Sequence, residues 1–208
     1  MPPSSADAAE PPVAAPSRAS VANFYSISSA VEGAGLGRQL LERTVRALAD
    51  EGVAGTFATL SPVPGFAEWY RACSASERVG CSDEERRWVA HLSAAAAAAA
   101  SKDDGAPAAL LAGAPPTVAA PMLALLSQYL SSTHDGRPLD RVARFHLGNG
   151  AQLLDVRFGA DASAEGLCRS FGMMANYAYA DGGVLESNRR ALRERGEVSM
   201  STSVRSRF

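Results

Sequence analysis

Three features of this chain predict a mixed α/β fold. A β-branched and aromatic run passes through a glycine-rich turn into an amphipathic helix, a second run of that type follows the helix, and helical periodicity resumes downstream without an internal repeat. In order, Val21-Ala22-Asn23-Phe24-Tyr25-Ser26-Ile27-Ser28 reads as a strand and Glu32 to Gly37 as the turn. From Leu36 onward, Leu40, Leu41, Val45 and Leu48 recur at helical spacing, while Arg38, Glu42, Arg43, Arg46 and Asp50 take the other face; this helix ends near Gly52. Val53 to Leu60 reads as the next strand, stopped by Ser61-Pro62-Val63-Pro64-Gly65, whose prolines cannot continue a sheet ladder.

Further along, Glu84 to Ala100 and Val118 to Ser131 read as helices, the second with Met122, Leu125, Leu126, Tyr129 and Leu130 turned inward. Val142 to Leu147 and Ala151 to Phe158 read as two strands around Gly148-Asn149-Gly150, an Asn-Gly hairpin signal. Asp161 to Met174 and Leu185 to Arg195 read as closing helices. Two segments are expected outside the core. Residues 1–20 are rich in Pro, Ala and Ser with almost no large apolar side chains, the composition of a disordered tail. Residues 93–116 carry seven consecutive alanines, a polar stretch and three prolines, the composition of a low-complexity insertion. The folded domain is expected over residues 21–208.

Composition narrows the function. With 20 Lys+Arg against 22 Asp+Glu in 208 residues, there is no electrostatic reason to expect binding to nucleic acid or a membrane surface. Three cysteines, Cys73, Cys81 and Cys168, are too few and too scattered for a disulfide framework or a zinc cluster, which favours a reducing compartment and argues for no metal. No apolar run approaches the roughly 20 residues needed to span a bilayer, so a soluble chain is expected.

The turn Glu32-Gly33-Ala34-Gly35-Leu36-Gly37 precedes a helix start, where unpaired backbone N–H groups favour an anion such as a pyrophosphate. Arg38 stands where the dinucleotide fingerprint needs its third glycine, and the Lys-Ser/Thr pair of an ATP-type loop is absent. Spacing alone leaves a phosphate cradle and a plain tight turn both open. Ser61, at a strand end against a Pro-x-Pro-Gly loop, is either a turn former or a hydroxyl projected from a rigid frame. Of the histidines, His91 and His134 read as solvated, whereas His146 is placed in a strand before the hairpin, as a core residue or an acid–base group.

Five blocks, in this order, resemble malonyl-CoA decarboxylase: Phe24-Tyr25-Ser26-Ile27-Ser28; the loop with Leu36-Gly37; Leu60-Ser61-Pro62-Val63-Pro64-Gly65-Phe66; Phe145-His146-Leu147-Gly148-Asn149-Gly150-Ala151; and Gly172-Met173-Met174-Ala175-Asn176-Tyr177. The resemblance spans about residues 21–208 and implies a GNAT-like mixed sheet flanked by helices. It implies a coenzyme A cradle over Glu32, Gly33, Ala34, Gly35, Leu36, Gly37 and Arg38, with Ser61 as proton acceptor and His146 as proton donor. It implies malonyl-CoA as substrate, decarboxylated to acetyl-CoA and CO₂, with no separate cofactor, because the coenzyme A moiety belongs to the substrate. Glu32 and Gly35 depart from the family's usual residues in that loop.

Family members carry an N-terminal helical domain used in oligomerisation, and the first strands of the catalytic fold, ahead of the Phe24 strand. Neither is expected here, so the chain reads as the C-terminal part of such an enzyme, with a homo-oligomer expected for the full-length family. A GNAT acyltransferase acting on an amine, or a non-catalytic coenzyme A-binding fragment, are the alternatives. Ser206-Arg207-Phe208 keeps the small-basic-apolar pattern of a peroxisomal signal, leaving cytoplasm, mitochondrion or peroxisome as the expected compartment.

Overall fold

A four-stranded mixed sheet in the order β1-β2-β6-β5 organises the chain in a computed structural model that describes residues 21–24, 36–52, 56–75, 81–99, 106–180 and 182–208. β1 (Val21–Phe24) runs parallel to β2 (Thr56–Pro62), and α1 (Leu36–Asp50) lies between them in sequence. β2 pairs antiparallel with β6 (Met174–Tyr179), which pairs antiparallel with β5 (Gln152–Arg157). α2 (Phe66–Ala75), α3 (Asp83–Ala99), α4 (Ala106–Ala112) and α5 (Pro116–Ser131) follow β2 in sequence. A two-stranded ribbon, β3 (Thr133–His134) with β4 (Arg137–Pro138), leads into α6 (Arg141–Gly148). α7 (Ala164–Ser170) joins β5 to β6, and α8 (Gly182–Arg195) and α9 (Thr202–Arg205) close the chain. The expected mixed α/β sheet flanked by helices is therefore present. Among the described residues no helix is long and apolar enough to cross a membrane.

Aromatic packing holds α2, α5 and the end of α7 to one another. Phe66 touches Tyr70, Tyr129 and Phe171 with ring centroids 5.8–6.3 Å apart, and all four rings are buried. The start of α3 is a capping box: Glu85 N–H donates to Ser82 Oγ, and Ser82 N–H donates to the Glu85 carboxylate. The segment 93–116 does not stay outside the core throughout, because Leu111 of α4 is buried in the core and Ala96 packs against it.

Two sequence expectations are corrected. Val142 to Leu147 is helical, not a strand. The Asp140 side chain accepts from Val142 and Ala143 N–H and caps α6, and this overrides the weak β preference of Val142 and Phe145. Gly148-Asn149-Gly150 is consequently a helix end, with Asn149 as cap and Gly150 at φ +88° just beyond it, rather than a hairpin turn. The second correction concerns Asp161 to Met174, where the helix stops at Ser170. Phe171 and Gly172 adopt left-handed backbone (φ 53° and 76°), and Met174 begins β6, an interior strand of the sheet.

Candidate active site

One face of β2 assembles the candidate site. Side chains two apart on a strand share a face, so Phe57, Thr59 and Ser61 point together, and their register partners Tyr179, Tyr177 and Ala175 on β6 point the same way. α6 lies over this face and brings His146, in its last turn, onto Tyr177. The two rings stack with centroids 4.5 Å apart and planes 18° from parallel. Ser61 and His146 are both buried, 5% and 7% exposed, and Ser61 Oγ lies 3.0 Å from His146 Nε2 across 85 residues of chain.

The hydrogen bonds around this pair run in one direction. Ser61 O–H donates to Thr59 Oγ1 at 3.0 Å, and Thr59 Oγ1 also accepts from Tyr177 N–H at 3.4 Å. With the serine proton used in that way, Ser61 Oγ accepts from His146 Nε2–H. On the far side of the ring, His146 Nδ1 lies 2.8 Å from the Tyr179 hydroxyl, and it accepts that proton. The tautomer is assigned from this network. It leaves His146 presenting an N–H to Ser61, with Tyr179 as a third group that orients the imidazole.

Burial sets the charge state. It lowers the His146 pKa from 6.5 to about 4, so the imidazole is neutral near pH 7, and it pushes the Tyr177 and Tyr179 phenols well above their ordinary range. Among the described residues the buried Tyr177 hydroxyl has no hydrogen-bond partner. The His146 shift has a consequence for stability. The unfolded chain takes up a proton at this histidine below about pH 6.5 while the folded chain does not until about pH 4, so stability falls as pH drops through that window. The expected loss is about 3 kcal/mol, complete near pH 4. Urea unfolding at pH 7 and pH 4.5 checks it against His146→Gln. An equal acid-induced loss in both proteins would show that His146 is not the titrating group.

Of the residues expected to form the site, the structure brings Ser61 and His146 together, though His146 arrives on a helix. Glu32, Gly33, Ala34 and Gly35 lie outside the described residues. Leu36, Gly37 and Arg38 form the first turn of α1, with the Leu36 and Arg38 side chains exposed. Thr59, Tyr177 and Tyr179 were not singled out for roles by sequence. The signal for the tyrosines was present in Asn176-Tyr177-Ala178-Tyr179, whose aromatic residues alternate with a period of two.

The malonyl-CoA decarboxylase C-terminal domain, as a sequence family, matches residues 5–208. The mitochondrial malonyl-CoA decarboxylase of Rattus norvegicus is 32% identical over 175 residues, covering 78% of this chain and 36% of the relative. That of Anser anser anser is 31% identical over 169 residues, covering 75% and 34%. Among solved structures, the malonyl-CoA decarboxylase of Agrobacterium vitis superposes with a TM-score of 0.70 at 35% identity, over 89% of this chain and 44% of that one. The enzyme from Cupriavidus metallidurans gives 0.69 at 32% identity, over 90% and 48%. Fold and site together define a GNAT-like α/β domain with a buried serine–histidine pair on one sheet face. The chain belongs to the malonyl-CoA decarboxylase family. It spans about a third of the length of the curated relatives it matches, and under half of the solved chains.

Proposed function

We propose that this chain decarboxylates malonyl-CoA to acetyl-CoA and CO₂, with Ser61 and His146 as the reacting pair. The observation that carries this reading is the 3.0 Å contact between Ser61 Oγ and His146 Nε2. Losing CO₂ leaves an enolate on the thioester, so the carbon–carbon bond breaks readily once the carboxylate is held out of the carbonyl plane and the developing charge meets fixed donors. The thioester is itself the electron sink. The reaction therefore asks the protein for positioning, hydrogen-bond donors and one proton, and for no metal or separate cofactor.

Once a substrate carboxylate enters, Ser61 O–H exchanges Thr59 Oγ1 and His146 Nε2–H exchanges Ser61 Oγ for its two oxygens, so the adjacent pair becomes two donors to one carboxylate. A bound carboxylate also favours the protonated imidazole, opposing the burial that holds it neutral in the free chain. His146 then delivers its proton to the α-carbon of the enolate as CO₂ departs, giving acetyl-CoA, and regains a proton from solvent. The loop from Glu32 to Arg38, ahead of and into the first turn of α1, is the place we assign to the coenzyme A pyrophosphate. The mitochondrial names of the curated relatives favour the mitochondrion among the three expected compartments.

The test is to incubate the purified chain with malonyl-CoA and follow acetyl-CoA by chromatography. Turnover that Ser61→Ala reduces supports the reading. Coenzyme A thioester binding without turnover, in a chain whose circular dichroism shows it folded, overturns it in favour of a non-catalytic binding domain.

A further inference from the structure

Ser61 and His146 sit on separate stretches of backbone, and one buried carboxylate touches both stretches. Asp140 is 1% exposed. Its Oδ1 accepts from Val142 N–H at 2.8 Å and Ala143 N–H at 3.0 Å, which starts α6, the helix that carries His146 in its last turn. Its Oδ2 accepts from Gly65 N–H at 3.2 Å and faces the Tyr129 hydroxyl at 3.4 Å. Gly65 follows Ser61 through Pro62-Val63-Pro64, a connection whose two prolines have fixed φ, and it immediately precedes α2. The N-termini of α2 and α6 thus converge on the same carboxylate, where their dipoles favour negative charge. Glycine at 65 is part of the arrangement, because a Cβ there would lie 2.3 Å from Tyr129 Oη.

Capping α6 uses Oδ1 alone. The second oxygen does nothing for that helix; it ties the loop after Ser61 to it. We propose that Asp140 is a positioning residue that sets the separation of Ser61 and His146. This rests on the reading that these two side chains are the reacting pair. A side chain two bonds from the backbone, satisfied on both oxygens and shut off from water, fixes the relative placement of the two segments more tightly than packing alone. Displacing a reacting group by about 1 Å can cost on the order of 100-fold in rate.

Asp140→Asn in the full chain separates the two oxygens. Asparagine caps helices as well as aspartate does, so Oδ1 is conserved in function, but an amide N–H₂ now opposes Gly65 N–H. The expected results are a folded chain by circular dichroism, a changed His146 Nε2 signal in a ¹⁵N-histidine spectrum as the Ser61 bond is lost, and kcat for malonyl-CoA lower by about tenfold to 100-fold with KM little altered. Asp140→Ser, which also caps but has one oxygen, is the second variant should the first not fold. An unchanged His146 signal overturns the proposal whatever the turnover, and so does failure of both variants to fold, which would make Asp140 a structural cap. A changed His146 Nε2 signal in the variant, together with no turnover by the wild-type chain, would uphold the positioning role and refute the proposed reaction instead.

Discussion

Replacing His146 with alanine is expected to cut malonyl-CoA turnover by about 100-fold or more, with a much smaller change in KM, as befits loss of a group that transfers a proton. The imidazole makes three contacts that no small side chain replaces: to Ser61 Oγ, to the Tyr179 hydroxyl and, by stacking, to the Tyr177 ring. Alanine leaves the buried Tyr179 hydroxyl without its acceptor and opens a cavity, so part of any loss could come from unfolding. His146→Gln separates the two effects. Its amide offers a donor to Ser61 from a side chain of similar reach, but it cannot give up a proton at neutral pH. The expected pattern is a His146→Gln chain that unfolds at a higher urea concentration than His146→Ala yet is equally slow. A glutamine variant with near-native kcat would remove His146 from the proton step and leave it a binding role only. Chromatographic assay of acetyl-CoA at saturating malonyl-CoA is the deciding measurement.

The position of this histidine also marks the limit of what could be read from residues alone. β1, α1 and β2 were legible because their signals are local, a β-branched run and apolar spacing of three and four from Leu36, although β2 continues through Ser61 and Pro62, where a stop was expected. α3, α5 and α8 were legible for the same reason. Arg141–Gly148 was not, because its strongest determinant is a side chain outside it: Asp140 caps the helix, and the following Asn149-Gly150 resembles a hairpin turn as much as a helix end. β6 was given no element: the helix expected over Asp161 to Met174 ran past its true end at the left-handed pair Phe171-Gly172 into the first strand residue, and the alternation after it was left unread. Pairing of Ser61 with His146 depends on contacts 85 residues apart, which periodicity cannot supply; the ordered motif blocks suggested it, and α6 stacking His146 on Tyr177 of the neighbouring strand accounts for it. The tyrosines of the site needed both β6 and its register, and so emerged only with the fold.

Gly150→Ala should destabilise the chain by about 2–4 kcal/mol, a large effect for the addition of one methyl group. Gly150 holds φ +88°, a region that costs any residue with a Cβ about a kcal/mol, and here the added methyl has no room. It would lie 2.1 Å from the Leu185 carbonyl oxygen and under 3 Å from two more backbone atoms of that residue. Backbone cannot rotate aside as a side chain can. Either α8 withdraws from the end of α6 or Gly150 shifts, and both disturb bonds that hold the junction: Asn188 Nδ2 to Gly150 O at 2.9 Å, and Arg189 Nη1 to Asn149 O at 3.3 Å. Because His146 is in the last turn of α6, the same shift moves the imidazole, so turnover should fall even in the folded fraction. Gly148→Ala is the internal control. That glycine has an ordinary φ and nothing within 4 Å of a built Cβ, so alanine there should be neutral or stabilise the last helical turn by up to about 1 kcal/mol. Urea midpoints for the two variants decide the matter. A Gly150→Ala chain within 1 kcal/mol of wild type, or a Gly148→Ala chain equally damaged, would mean that the packing of α6 against α8 is not what this structure shows.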